Sequence, residues 1–216
     1  MNPTGRESGN RPPNQSEGMC IHRQLLRGVA GLTMIAMGGA VLGNESLAAD
    51  QPGQERVFDR DGAERLMRRA IKLGRHRMRS GEGGPFGAVI VKEGAIVGEG
   101  WNRVLATNDP TAHAEMEAIR AAARSVGSFT LKGCELYTSA QPCPMCLGAI
   151  YWSRLDRVLY GNSVRDTAAI GFDDEVFYRQ LTCAPQQRDL PEVQVLADEA
   201  HVVFREYEAK PGAVQY

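Results

Sequence analysis

Glu135-Leu-Tyr-Thr-Ser-Ala-Gln-Pro-Cys-Pro-Met-Cys-Leu-Gly-Ala-Ile-Tyr-Trp152 holds the change of pattern that decides the fold. Glu135 to Ser139 reads as a strand. Pro144 then opens a helix to about Arg154, since proline suits the first helical position, where an N–H has no partner to lose. A second strand follows near Arg157 to Gly161. Moving upstream, Asp109-Pro110 offers an N-cap and a first-position proline for another helix, striped by Ala114, Ala118, Ala122 and Val126 and stopped by Gly127. Before it, Phe86 to Val91 and Ala95 to Trp101 flank the turn Lys92-Glu-Gly94 and read as a β-hairpin. Asp59 to Ser80 carries Leu66, Met67, Ala70, Ile71 and Leu73 at helical spacing, with basic residues opposite. Downstream, helices are expected at about Asp174 to Leu181 and Asp198 to Tyr207, with a strand at Val193 to Leu196. Strands alternating with helices predict an α/β layered fold.

The composition fits one such domain with an appendage. The chain has 216 residues, 43% apolar and 24% charged, with 25 Lys and Arg against 26 Asp and Glu. A net charge of −1 lacks the clustered basic footprint of a nucleic-acid binder, so no nucleic-acid partner is expected. Five cysteines are too few and too unevenly placed for a disulfide scaffold. The glycines of Gly81-Glu-Gly-Gly-Pro85 precede a strand, whereas a phosphate cradle must open a helix.

The chemistry gathers at two helix starts. His113 stands at one, and Cys143 and Cys146 stand at the other. Zn²⁺ takes thiolate and imidazole ligands, and a C-x-x-C turn brings two sulfurs to one ion. Helix N-termini favour the thiolate form that ligation needs. Three ligands leave a position open, as catalytic zinc sites do, whereas a structural site is closed by four. His22, His76 and His201 have no ligand-like neighbours, and Cys134 and Cys183 stand alone. Glu115 supplies a carboxylate beside the open position, able to accept a proton and hand it on. Residues two apart diverge on a regular helix, so His113 is expected in the irregular first turn with Glu115 just inside. His113-Ala-Glu115 followed by Pro142-Cys143-Pro-Met-Cys146 is the signature of the zinc nucleobase deaminases.

Three longer stretches extend that likeness: Gly83-Gly-Pro-Phe-Gly-Ala-Val-Ile-Val-Lys92, Asn108-Asp-Pro-Thr-Ala-His-Ala-Glu115 and Pro142-Cys-Pro-Met-Cys-Leu-Gly-Ala-Ile-Tyr-Trp152. With Gly171-Phe-Asp-Asp174 and the closing Tyr216, they resemble the bacterial guanine deaminases of the cytidine deaminase superfamily, in one register from about Asp61 to the end. The resemblance implies a three-layer α/β/α domain with a mixed five-stranded sheet and zinc held by His113, Cys143 and Cys146. It implies Glu115 as proton shuttle, Asp174 as an aid to proton transfer toward the leaving amine, and Asn102 and Ala114 as contacts of the base. It also implies a homodimer whose C-terminal segments can be exchanged, so that Tyr216 closes the partner's pocket. The residues alone leave other readings open. Asn102 also suits a turn, and Asp174 also suits an N-cap. Phe86, Trp101 and Phe172 could stack on a base or fill the core.

The expected reaction is hydrolysis of guanine to xanthine and ammonia. Deamination of adenosine in tRNA is the alternative, because Gly100-Trp-Asn-Arg103 and the helix after His113 also resemble that group. Guanosine, cytosine and triazines stay open as substrates, and a zinc-stabilised purine-binding protein without turnover is the reading from another class. Two departures stand out. Ala140-Gln141 occupies the place where the family usually has Cys-Glu, which removes a charge near the zinc ligands. The other is the leader. Residues 1–18 are polar and expected to be disordered. Arg23 and Arg27 precede 14 largely apolar residues, Val29 to Leu42, and small residues follow at Ser46 and Ala48. That order is a secretory signal peptide over about 19–49, with a deaminase domain at 51–216. The run is short for a bilayer span of about 20 residues. Export, with a periplasmic destination, is the expectation; an uncleaved anchor or a chance apolar segment is the other explanation of the same residues. An exported chain would carry Cys134 and Cys183 into a more oxidising compartment.

Overall fold

The computed structural model describes residues 59–215. The leader, the proposed cleavage region and Tyr216 lie outside them. Helix α1 (Arg60–Arg79) begins where the Asp59 carboxylate accepts the Gly62 N–H at 3.0 Å. Strands β1 (Gly87–Lys92) and β2 (Ala95–Trp101) form the expected hairpin. A four-residue helix α2 (Val104–Thr107) follows, then α3 (Ala114–Val126), β3 (Cys134–Ala140), α4 (Pro144–Trp152) and β4 (Arg157–Asn162). Helices α5 (Val164–Ala169), α6 (Asp174–Thr182) and α7 (Ala197–Ala209) complete the described chain, with a 3₁₀ turn at Pro185–Gln187.

The strands lie in the order β2-β1-β3-β4. β1 is antiparallel to both neighbours, while β3 and β4 are parallel and joined by α4, so the sheet is mixed. Strand alternation sends Val89, Val91 and Tyr137 to one face, where Ala63 and Ala70 of α1 cover them. Ala88, Ile90 and Leu136 go to the other, under Ala114, Ala118 and Ala122 of α3 and Ile150 of α4. Burial on both faces explains why Gly87 to Val91 reads as an unbroken apolar run. The three-layer α/β/α expectation holds.

Four details differ from the sequence reading. The sheet has four strands among the described residues, not five. Val193 to Leu196 is irregular chain with no strand partner there, Leu196 turning through the left-handed region, and Val193, Val195 and Leu196 are largely exposed. Asp109-Pro110 does not start α3. Its carboxylate instead accepts the Thr111 N–H and hydroxyl, making a local turn, and His113 is the N-cap four residues later. The short helices α2 and α5 carry too few apolar residues to show a period, and were not foreseen.

Sheet register gathers one edge of the molecule. Gly87 pairs with Trp101, and Ala88 pairs with Thr138. The start of β1, the end of β2 and the end of β3 therefore meet beside the N-termini of α3 and α4.

Candidate metal centre and cleft

His113 caps α3 with an extended backbone, φ −72° and ψ 158°, which turns its ring away from the helix. Cys143 caps α4 with φ −68° and ψ 168°, and Cys146 lies one turn in. Both sulfurs stand 3.6 Å from His113 Nδ1. Tetrahedral zinc with Zn–S near 2.3 Å and Zn–N near 2.1 Å separates sulfur and nitrogen ligands by about 3.6 Å. The three atoms are thus spaced as one ion would hold them, and they are the cluster of metal-ligating type among the described residues.

Glu115 is 6% exposed, two residues past the cap. Its Oε1 accepts the Thr138 hydroxyl at 3.1 Å, and its Oε2 accepts the Cys146 S–H at 3.5 Å. Burial pushes its carboxyl above the ordinary range, and the negative charge of Cys143 adds to that. The Cys143 thiol is held down at about 4 by the hydrogen bond from Cys146, with His113 adding to the effect. Cys146 is pushed up by the same bond and by burial, so the metal-free pair shares one negative charge. The hydrogen bond with Cys143 raises His113, and that charge adds to it. A divalent ion would favour two thiolates instead, releasing protons as it binds.

Phe86, Asn102, Gln141, Phe172 and Asp174 line the cleft with these residues. Phe86 and Phe172 meet edge to face at 4.9 Å between ring centres, leaving a free volume of about 30 Å³. Asp174 is the first residue of α6, and Asp173 holds the cap position. Burial, reinforced by Cys143, raises its carboxyl. Ala114 lies between His113 and Glu115 with its side chain packed in the core, so only its main chain is available to a ligand. Trp101 contributes no ring to the cleft; its indole N–H donates to Glu82 at 2.8 Å.

Sequence reasoning missed two supports and left the partner of a third residue, Gln141, unread. Thr138 holds the shuttle candidate, and strand alternation could have found it, since it shares the face of Leu136 under α3. Tyr178 of α6 donates its hydroxyl to the Pro142 carbonyl at 2.6 Å and braces the cysteine turn; no local spacing signals a partner 36 residues away. Gln141 accepts the Val164 N–H of α5 at 3.3 Å. A neutral amide meets that need as a carboxylate would.

Comparison with known proteins agrees with this geometry. Residues 60–162 match the cytidine and deoxycytidylate deaminase zinc-binding region. The chain is 49% identical over 136 residues to guanine deaminase of Bacillus subtilis, covering 63% of this chain and 87% of that protein. The crystal structure of the B. subtilis enzyme superposes with a TM-score of 0.69 at 45% identity, over 71% of this chain and 98% of that one. A guanine deaminase structure from Nitrosomonas europaea gives a TM-score of 0.50 at 30% identity, over 68% and 85%. The tRNA-specific adenosine deaminase of Haemophilus influenzae is 43% identical over 117 residues, 51% of this chain and 67% of that protein.

Proposed function

Because the chain belongs to the zinc-dependent cytidine and deoxycytidylate deaminase family, we propose that it hydrolyses a purine base, converting guanine to xanthine and ammonia. The convergence of His113 Nδ1 and two cysteine sulfurs beside the buried carboxyl of Glu115 carries this reading. Likeness over nearly the whole B. subtilis guanine deaminase supports guanine as the base.

When bound, zinc supplies a water acidic enough to attack at neutral pH. Glu115 would accept the proton that the attacking water gives up and deliver it to the ring nitrogen beside C2, which its closeness to Cys146 and its place on the cleft permit. The C2–O bond forms, and the bond from C2 to the exocyclic amine breaks. Asp174, which also lines the cleft, would relay the proton of the new C2 hydroxyl to the departing amine, which leaves as ammonia as the C2 carbonyl forms. Asn102 offers its Nδ2, since two main-chain N–H groups already occupy its Oδ1. The Ala114 main chain would add a contact at the start of α3, and Tyr216 would belong to the lid over the partner's pocket.

The reading extends to a homodimer with exchanged C-terminal segments. Phe204 and Val203 of α7 and Val193 to Leu196 before it expose apolar side chains. The outer edge of β4 pairs with no strand among the described residues, and Tyr151 and Trp152 stand exposed at the end of α4. A second copy would cover these groups. The leader supports export of a mature domain from about residue 51, where the reaction would serve scavenging and breakdown of purines outside the cytoplasm.

The decisive experiment measures ammonia release by zinc-loaded residues 51–216 from guanine, guanosine, adenine, cytosine and a hairpin tRNA. Guanine is expected to dominate. A preference for the tRNA would overturn the substrate, and binding without ammonia from any of them would overturn the enzyme.

A further inference from the structure

Asn102 is oriented by a loop that the cleft itself does not need. Its Oδ1 accepts the Gly84 N–H at 3.2 Å and the Val104 N–H at 3.3 Å. Gly83 lies so close that a Cβ there would fall 2.2 Å from the Asn102 carbonyl oxygen and 2.5 Å from Oδ1. The turn carrying both glycines is fastened by the preceding residue. Glu82 Oε2 accepts the Trp101 indole N–H at 2.8 Å, and Oε1 accepts from Arg77 Nη1 at 2.7 Å and from the Ser80 hydroxyl at 3.1 Å. The Glu82 carbonyl also accepts the Ala106 N–H at 3.1 Å. Arg77 lies over the Trp101 ring, 4.0 Å from its centre, and its buried Nε has no hydrogen-bond partner, so the indole holds that guanidinium by its face. One carboxylate thus joins the end of α1, the glycine turn and the residue directly before Asn102. None of the groups that hold Glu82 touches the cleft.

We propose that Glu82 is a positioning residue for purine binding: it clasps the Gly81–Pro85 turn to Trp101 and so holds the Asn102 amide with Nδ2 toward the base. This rests on the reading of Asn102 as a contact of the base. Freed from Glu82, the turn would lift away from Asn102, and the amide could rotate to present its oxygen, which matches a different edge of the ring.

The test compares full-length, zinc-loaded Glu82→Ala, Glu82→Gln, Asn102→Ala and the Glu82→Ala/Asn102→Ala double variant. Glu82→Ala is expected to raise KM for guanine by about tenfold, the worth of one misdirected hydrogen bond, with kcat within about threefold. Glu82→Gln keeps an acceptor for the indole N–H and should recover most of that loss. With Asn102 already removed, the Glu82 change should add less than about twofold. An unchanged KM in Glu82→Ala, or the same increase with and without Asn102, would overturn the proposal. Hydrogen exchange at the Gly84 amide provides a measurement without substrate. It should quicken at least about tenfold in Glu82→Ala while α4 keeps its protection. If the unaltered chain releases no ammonia from guanine, the substrate reading fails by itself; an unchanged Gly84 amide would then reject the clasp separately.

Discussion

A carboxyl that moves protons must be able to take either form, and the surroundings of Glu115 pull it both ways. Burial favours its neutral form, and the Thr138 hydroxyl opposes that by donating to the charged one. Glu115→Gln should keep one zinc per chain and lower kcat by about 10² to 10⁴, the usual worth of a positioned acid–base group; metal analysis beside turnover checks both halves. A second residue reports on the other face of the sheet. Tyr137 donates its hydroxyl to Glu135 at 3.0 Å, and burial with that bond pushes its pKa up to about 12. The folded state holds this proton more tightly than the unfolded one, whose tyrosine titrates near 10. Its contribution is therefore intact below about pH 10 and is lost as pH rises toward 12, up to roughly 2–3 kcal/mol. Urea unfolding at pH 9 and 11.5 should show a larger drop in the unaltered chain than in Tyr137→Phe. At this scale the sequence was readable wherever partners share a short spacing: Cys143 with Cys146, or His113 with Glu115. Thr138 and Tyr178 act on partners 23 and 36 residues away, and only the folded sheet brings those together.

Helix α3 reaches the metal because it lies almost on the backbone of β2. A Cβ at Gly100 would sit 2.2 Å from the Ala114 carbonyl oxygen and 2.4 Å from the Ala118 nitrogen; at Gly98 it would meet the Ala118 oxygen at 2.6 Å. The small residues of α3 and the two strand glycines are one device, setting the height of the helix and hence of His113. Gly100→Ala must push the start of α3 outward. It should cost about 1–3 kcal/mol, typical of overpacking, and weaken zinc retention together with stability. Thermal unfolding and competition with a chelator would measure the two. Gly98→Ala, one turn farther from His113, should destabilise with less loss of metal. Elements announced themselves in the sequence when their own residues supplied the reason, as Leu66, Ala70 and Leu73 did for α1 and Pro144 for α4. They were misread where the reason lay elsewhere. Asp109 had the residue type of a cap but used its carboxylate on Thr111. Val193 to Leu196 had the residue types of a strand, yet a strand exists only beside another, and none adjoins it in the described chain.

The layered architecture followed from the alternation of strands and helices, but the sequence did not carry the order of the strands or the edge left at β4. That edge and the apolar face of α7 set the assembly prediction. On the proposed dimer, removing residues 191–216 should leave a monomer in sedimentation and reduce turnover on guanine by at least about tenfold, while the His113, Cys143 and Cys146 ligands still hold zinc. A truncated chain that stays dimeric would place the interface elsewhere. The spacing of the ligands has a consequence for the molecule as a folding polymer. His113 and Cys143 are 30 residues apart, and β3 and part of the core lie between them. An ion shared by the two closes that segment into a ring, much as a disulfide would. Closing a loop of this length removes freedom from the unfolded chain worth about 3–4 kcal/mol. For a domain of this size, that corresponds to roughly 10 °C in thermal midpoint. A chelator should therefore do more than silence the site: calorimetry of the stripped protein should find it melting early, its staple gone from the middle of the chain.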